Sequence, residues 1–249
     1  MTLVWQPGFQ FDADASTYIE AVEAADTQAL ETGVRYAIND FVIGCKNDGI
    51  WDAIKACCIL AGARTLNGAL VPLVGTAPTK NGTEGGWNYN RETGLQGNGT
   101  DNYLDTNRAN NADPQDNNHN SAYVASIVTQ STTLLGCEGL NDVLGGGCRN
   151  RSGVFAATNN NSGFKGASRD SASFFSLRSA GTGFIAAGTT SGPVTSATLY
   201  AFARNNPPGT ASQYASARIA FYSIGESLDL AKLDARVTDL ITAIGAAIP

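Results

Sequence analysis

Residues 50–66 read IWDAIKACCILAGARTL, and the assignment of this run decides the fold. Ile50, Trp51, Ile54, Cys57, Cys58 and Ala61 recur at i, i+1, i+4, i+7, i+8 and i+11, one wide face of a 3.6-residue helix, while Asp52, Lys55 and Ala56 point elsewhere. The spacing predicts a buried helix stopped by Gly62. It stands between a helical N-terminal part and a β-rich remainder.

Upstream of that run, residues 1–13 carry Trp5, Pro7, Phe9 and Phe11 without a helical period. Such an aromatic arm either packs back on its own domain or inserts into a neighbouring subunit. Asp14 or Ser16 caps a first helix whose inward residues are Tyr18, Ile19, Val22 and Ala25. Leu30, Val34, Ala37, Ile38, Phe41, Val42 and Cys45 then repeat at helical spacing, the strongest periodic signal in the chain. The expected organisation is an arm at 1–13, a helical cap at 14–65 and a β-sandwich at 66–249.

Downstream, the period changes to two, with Gly, Asn, Ser and Thr clusters between short runs. Candidate strands are 69–74, 89–95, 102–105, 122–128, 133–137, 154–158, 173–178, 183–188, 197–205 and 217–225. So many short strands predict two stacked antiparallel sheets. Ser227 opens a closing helix with Leu230, Leu233, Val237, Leu240, Ile241 and Ile244 on one face, and Asp229 in its first turn.

The composition bounds what the chain does. Its 249 residues, 43% hydrophobic, are enough for one sizeable core. Charged residues are 15%, the net charge is −6 and no Lys/Arg run exists, so a phosphate-tracking surface for nucleic acid has no support. No window approaches the ~18 apolar residues of a membrane span, and residues 1–14 lack the pattern of a secretion leader. The expectation is synthesis in a cytosol and a soluble chain without a membrane span. Of the five cysteines, Cys57 and Cys58 read as buried thiols. Cys137 and Cys148 either stay reduced or close a hairpin disulfide.

The segments GLQGNGTDNYLDTN (94–107), SAYVASIV (121–128), ATLYAFARN (197–205) and ARIAFYSIGESLD (217–229), ahead of a closing helix, resemble laminin-G-like, concanavalin-A-like jelly-roll modules. More narrowly, DGIWDAIKACCILAGARTL (48–66) with ARIAFYSIGESLDLAKLDARV (217–237) resembles structural proteins of tailed bacteriophages. The resemblance implies a mainly β, antiparallel jelly-roll sandwich with an N-terminal helical cap and a C-terminal helix. It also implies a non-enzymatic virion protein, a head or tail fibre or a capsid decoration subunit, with other virion proteins as partners. A host glycan-binding receptor module is the alternative, and a glycan hydrolase stands third behind it. The resemblance brings no catalytic residue.

The residues agree in lacking a recognisable catalytic set. Glu84, Glu92, Glu138 and Glu226 are isolated, so the paired strand carboxylates of a sandwich glucanase are missing. The only histidine, His119, lies in QDNNHNSAY without a nucleophile elbow in the chain, and is expected to be a solvated loop residue. Gly145, Gly146 and Gly147 lack the spacing of a phosphate loop.

Residues 98–120 are the richest in ligand chemistry. Asp101, Asp105, Asp113 and Asp116 lie among Asn98, Asn102, Asn107 and Asn110, oxygen and amide groups suited to Ca²⁺ or to sugar hydroxyls, or equally to Asn-rich turns. Trp87, Tyr89 and Tyr103 flank them and either stack on a sugar ring or fill the core. The candidate ligand set is Trp87, Tyr89, Asp101, Asn102, Tyr103, Asp105, Asp113 and Asp116. No resident cofactor is implied, Ca²⁺ apart. The regular apolar helices and the aromatic arm predict a closed homo-oligomer, a trimer.

Overall fold

The computed structural model describes residues 10–126, 133–137, 161–187, 190–206 and 209–249, with the side chains of 184–187 left aside. Two sheets stack as a sandwich, and a layer of helices covers the outer face of the larger one.

The N-terminal helices follow their apolar periods. Helix α1 (Ala13–Asp26) starts two to four residues earlier than its sequence signals indicate, because the Asp12 carboxylate accepts from the Asp14 N–H and serves as the cap. Helix α2 (Thr32–Asn47) buries Val34, Ala37, Ile38, Phe41, Val42 and Cys45. The decisive run then departs from expectation. Trp51–Ala53 is a single 3-10 turn, and Ile54–Ile59 is strand β1, not a helix. Strand β1 pairs antiparallel with both β2 (Pro72–Val74) and β15 (Arg218–Gly225), so it lies inside the sheet. A strand covered on both faces is apolar at nearly every position, Lys55 being the exception here, and such a run contains a helical subset by construction. Cys57 and Ile59 face the helices; Ala56, Cys58 and Leu60 face the other sheet. The sheet thus begins before residue 66. Helix α3 (Leu66–Ala69) occupies the start of the expected 69–74 strand, capped by the Thr65 hydroxyl.

The remaining strands are β3 (Thr79–Asn81), β4 (Asn88–Asn90), β5 (Gly94–Gln96), β6 (Tyr103–Ala109), β7 (Asn118–Ser126), β8 (Leu135–Cys137), β9 (Gly163–Arg169), β10 (Phe174–Ser179), β11 (Thr182–Ala187), β12 (Thr198–Ala201), β13 (Arg204–Asn206) and β14 (Thr210–Ser212). The large sheet runs β11-β10-β9-β7-β15-β1-β2, with the β4–β5 hairpin attached to β15. Gly94 closes that hairpin at φ 102, where a Cβ would lie 2.3 Å from the Ile219 carbonyl oxygen. The small sheet runs β14-β13-β8-β12-β6-β3, antiparallel except for the parallel pair β8–β13. Phe202, at φ 67, breaks the expected 197–205 strand into β12 and β13. Strands β3, β9 and β14 were not anticipated, and the expected 154–158 strand lies outside the described residues, as do Cys148, Gly145–147 and the arm up to residue 9.

Two apolar cores result. One joins α1, α2 and helix α4 (Leu230–Ala247) to the large sheet, with Phe41 edge-on to Phe221 at 5.6 Å. The other fills the sandwich with Leu95, Leu104, Leu135, Leu199, Ile219 and Tyr222. Asp229, rather than Ser227, caps α4 through the N–H groups of Ala231 and Lys232.

Candidate functional site

Sheet alternation sorts the side chains of β6. Leu104 and Thr106 point inward, Leu104 into the sandwich core and Thr106 to the Leu199 carbonyl, which leaves Tyr103, Asp105 and Asn107 on the outer face of the small sheet. The register extends this outer row across the strands. Asp105 lies opposite Thr79 on one side and Tyr200 on the other; Tyr200 lies opposite Gly136, Gly136 beside Arg204, and Arg204 opposite Ser212. Tyr103 stacks on Tyr200 with ring centroids 4.4 Å apart and planes 28° from parallel, and Tyr214 leans on Tyr103 at 6.4 Å. Tyr103 and Tyr214 are partly exposed, whereas Tyr200 is almost covered.

The carboxylate of Asp105 is held in place by the Asn107 N–H at 2.8 Å and the Thr198 hydroxyl at 3.0 Å. Burial, and then the neighbouring Tyr103 and Asp105, push the Tyr200 phenol up to about 12, so it stays a neutral hydroxyl. Tyr214 shifts in the same direction, chiefly from burial and then from Tyr103 and Asp101. The platform therefore offers aromatic faces, neutral phenols and a fixed carboxylate side by side. Those are the groups that receive a pyranose: C–H faces on rings, hydroxyls on an oriented acceptor.

The other expected ligand residues separate from this surface. Asn102 is fully buried and ties two turns together, donating to the Thr83 carbonyl at 2.8 Å and accepting from the Asn98 N–H at 3.2 Å. Asp113 is buried in a bidentate pair with Arg108. Trp87 packs edge-on against Phe202 at 5.5 Å in the sandwich core. Tyr89 donates to the Ala63 carbonyl at 2.7 Å. Asp101 accepts from the hydroxyl and N–H of Thr83 and from the Asn98 amide, bonds that hold its carboxyl below the usual range. Asp116 is half-buried in the turn before β7, its Oδ1 shut off from solvent without a partner among the described residues. Among the described residues no three His, Cys, Asp or Glu side chains gather at one point that would hold a metal ion.

His119 also differs from expectation. It sits on β7, wholly buried, with Nδ1 2.5 Å from the Glu226 carbonyl oxygen and Nε2 2.9 Å from the Ser223 hydroxyl, which in turn meets Ser121 at 2.8 Å. A carbonyl only accepts, so Nδ1 carries a proton, and Nε2 shares a hydrogen bond with the Ser223 hydroxyl. The pair has the spacing of a base and a nucleophile, yet His119, Ser121 and Ser223 are each 0% exposed. It is a polar tie between β7 and β15.

A cleft of about 600 Å³ lies between the start of α4 and strands β9 and β10. Three of its polar groups are engaged: Ser168 accepts from the Leu228 N–H, Asp229 caps α4 and Arg178 pairs with Asp234 at 2.7 Å. No family model, no curated protein and no solved structure matches the chain.

Proposed function

We propose that this protein is a non-enzymatic bacteriophage virion protein, a fibre or decoration subunit, whose sandwich is the outward domain and binds host glycan on its small sheet. The Tyr103–Tyr200–Tyr214 platform beside the fixed Asp105 carboxylate is the observation that supports glycan binding. The virion role rests on the resemblance of residues 48–66 and 217–237 to phage structural proteins. A trimer joined through the aromatic arm belongs to the same reading. Exposed Tyr36 and Ile43, seven residues apart on α2, support a protein contact on that side of the molecule, where Phe11 already meets Tyr36 at 5.3 Å.

Two measurements test the proposal. Antibody labelling of intact particles should place the protein on the outer surface, and its absence from particles would refute the virion role. A glycan array probed with the purified protein should retain a defined set of oligosaccharides, and a blank array would refute the glycan role.

A further inference from the structure

We propose that the platform takes a carboxylate-bearing sugar, a uronic acid residue, and that Arg204 is its anion contact. This inference rests on the glycan reading above and names the sugar class.

It starts from the pairing of the cations. Among the described residues Arg35, Arg64, Arg91, Arg108, Arg178 and Arg236 each reach a carboxylate. Arg169 and Arg218 donate to backbone carbonyls. Arg169 also leaves its Nε buried without an acceptor, but Arg204 differs in reaching neither a carboxylate nor a carbonyl through any of its nitrogens among the described residues, and its buried Nε has no acceptor. An N–H of a charged group held out of water without a partner is costly, and a cost of that kind persists where an incoming group relieves it. The guanidinium fork matches a carboxylate in two parallel hydrogen bonds, which a neutral sugar hydroxyl cannot reproduce.

Position supplies the second observation. Arg204 lies in the same outer row as Tyr200 and Asp105, separated from Tyr200 only by Gly136, which has no side chain. Two strand spacings, about 10 Å, separate the Arg204 and Tyr200 backbones. A ring lying against Tyr103 and Tyr214 would thus meet a cation toward β13 and the Asp105 acceptor toward β6. The opposite charges at the two ends fix its direction: carboxylate to Arg204, hydroxyls to Asp105.

The test is titration calorimetry with an oligoglucuronate and with the same oligosaccharide after its carboxyls have been reduced to alcohols. The native protein should bind the uronate about tenfold to a hundredfold more tightly than the reduced sugar. Arg204→Gln should remove that difference while keeping the affinity for the reduced sugar. Equal affinity for the two sugars in the native protein, or a preference that survives in Arg204→Gln, overturns the inference and leaves the glycan reading standing. Binding of neither sugar, where an array retains other glycans, does the same; a blank array as well removes both. The native protein's comparison of the two sugars decides the matter even if Arg204→Gln folds poorly.

Discussion

At the residue scale, the clearest lesson is which polar side chains are committed to the fold. Asp113 has the composition of a loop ligand, but it is buried against Arg108, so Asp113→Asn should cost about 2 kcal/mol in chemical denaturation. Asp101→Asn, in an exposed turn, should cost less than half as much in the same assay. Composition places these two aspartates in one class; only burial separates them. The site itself was half legible. Tyr103 and Asp105 stand two apart, and period two puts them on one face of a strand. Tyr200 and Arg204 come from strands, and Tyr214 from the β14–β15 connection, roughly a hundred residues downstream, and no local pattern announces that register. His119 was misjudged because its Asn-rich neighbours read as solvent-facing, whereas Ser121 and Ser223 satisfy its ring inside the fold.

At the element scale, α2 and α4 were readable because each keeps one polar face, so the 3.6-residue period stands out. Strand β1 was not, since burial on both faces erases the period that separates strand from helix. The buried thiols give this assignment a chemical test. Burial pushes the thiols of Cys45 and Cys58 up to about 12 and that of Cys57 well above the ordinary value. With no thiolate at neutral pH and no exposure, these three should resist a thiol reagent until global unfolding. Fast labelling of Cys57 or Cys58 in the native protein would contradict a central β1. In the helical layer, Phe41→Ala removes the ring packed on Phe221 and should lower stability by about 3–5 kcal/mol by denaturant titration.

At the scale of the whole molecule, ion pairs join the helical layer to itself and to the sandwich. Asp12 meets Lys46, Glu31 meets Arg64 and Arg91, and Asp48 meets Arg236. The Lys46 and Arg236 hydrogen bonds hold the Asp12 and Asp48 carboxyls below 3.8. Glu31 is raised by burial, but Arg91 and Arg64 outweigh that and bring it below 4.5. Carboxyls lowered in the folded state bind protons more readily once unfolded, so their stabilisation is complete above the ordinary values and is lost as pH falls through the folded ones. The thermal midpoint should therefore hold from neutrality to about pH 5 and drop below about pH 4.5; a midpoint that rises on acidification would contradict these pairings. None of these pairs involves Tyr103, Tyr200, Tyr214 or Asp105 on the outer face of the small sheet. The most direct measurement is calorimetry of an array-selected oligosaccharide against the native protein and against Tyr103→Ala, with thermal midpoints recorded for both. Loss of binding by about tenfold or more, with folding retained, is the predicted result; undiminished affinity in folded Tyr103→Ala would contradict the platform.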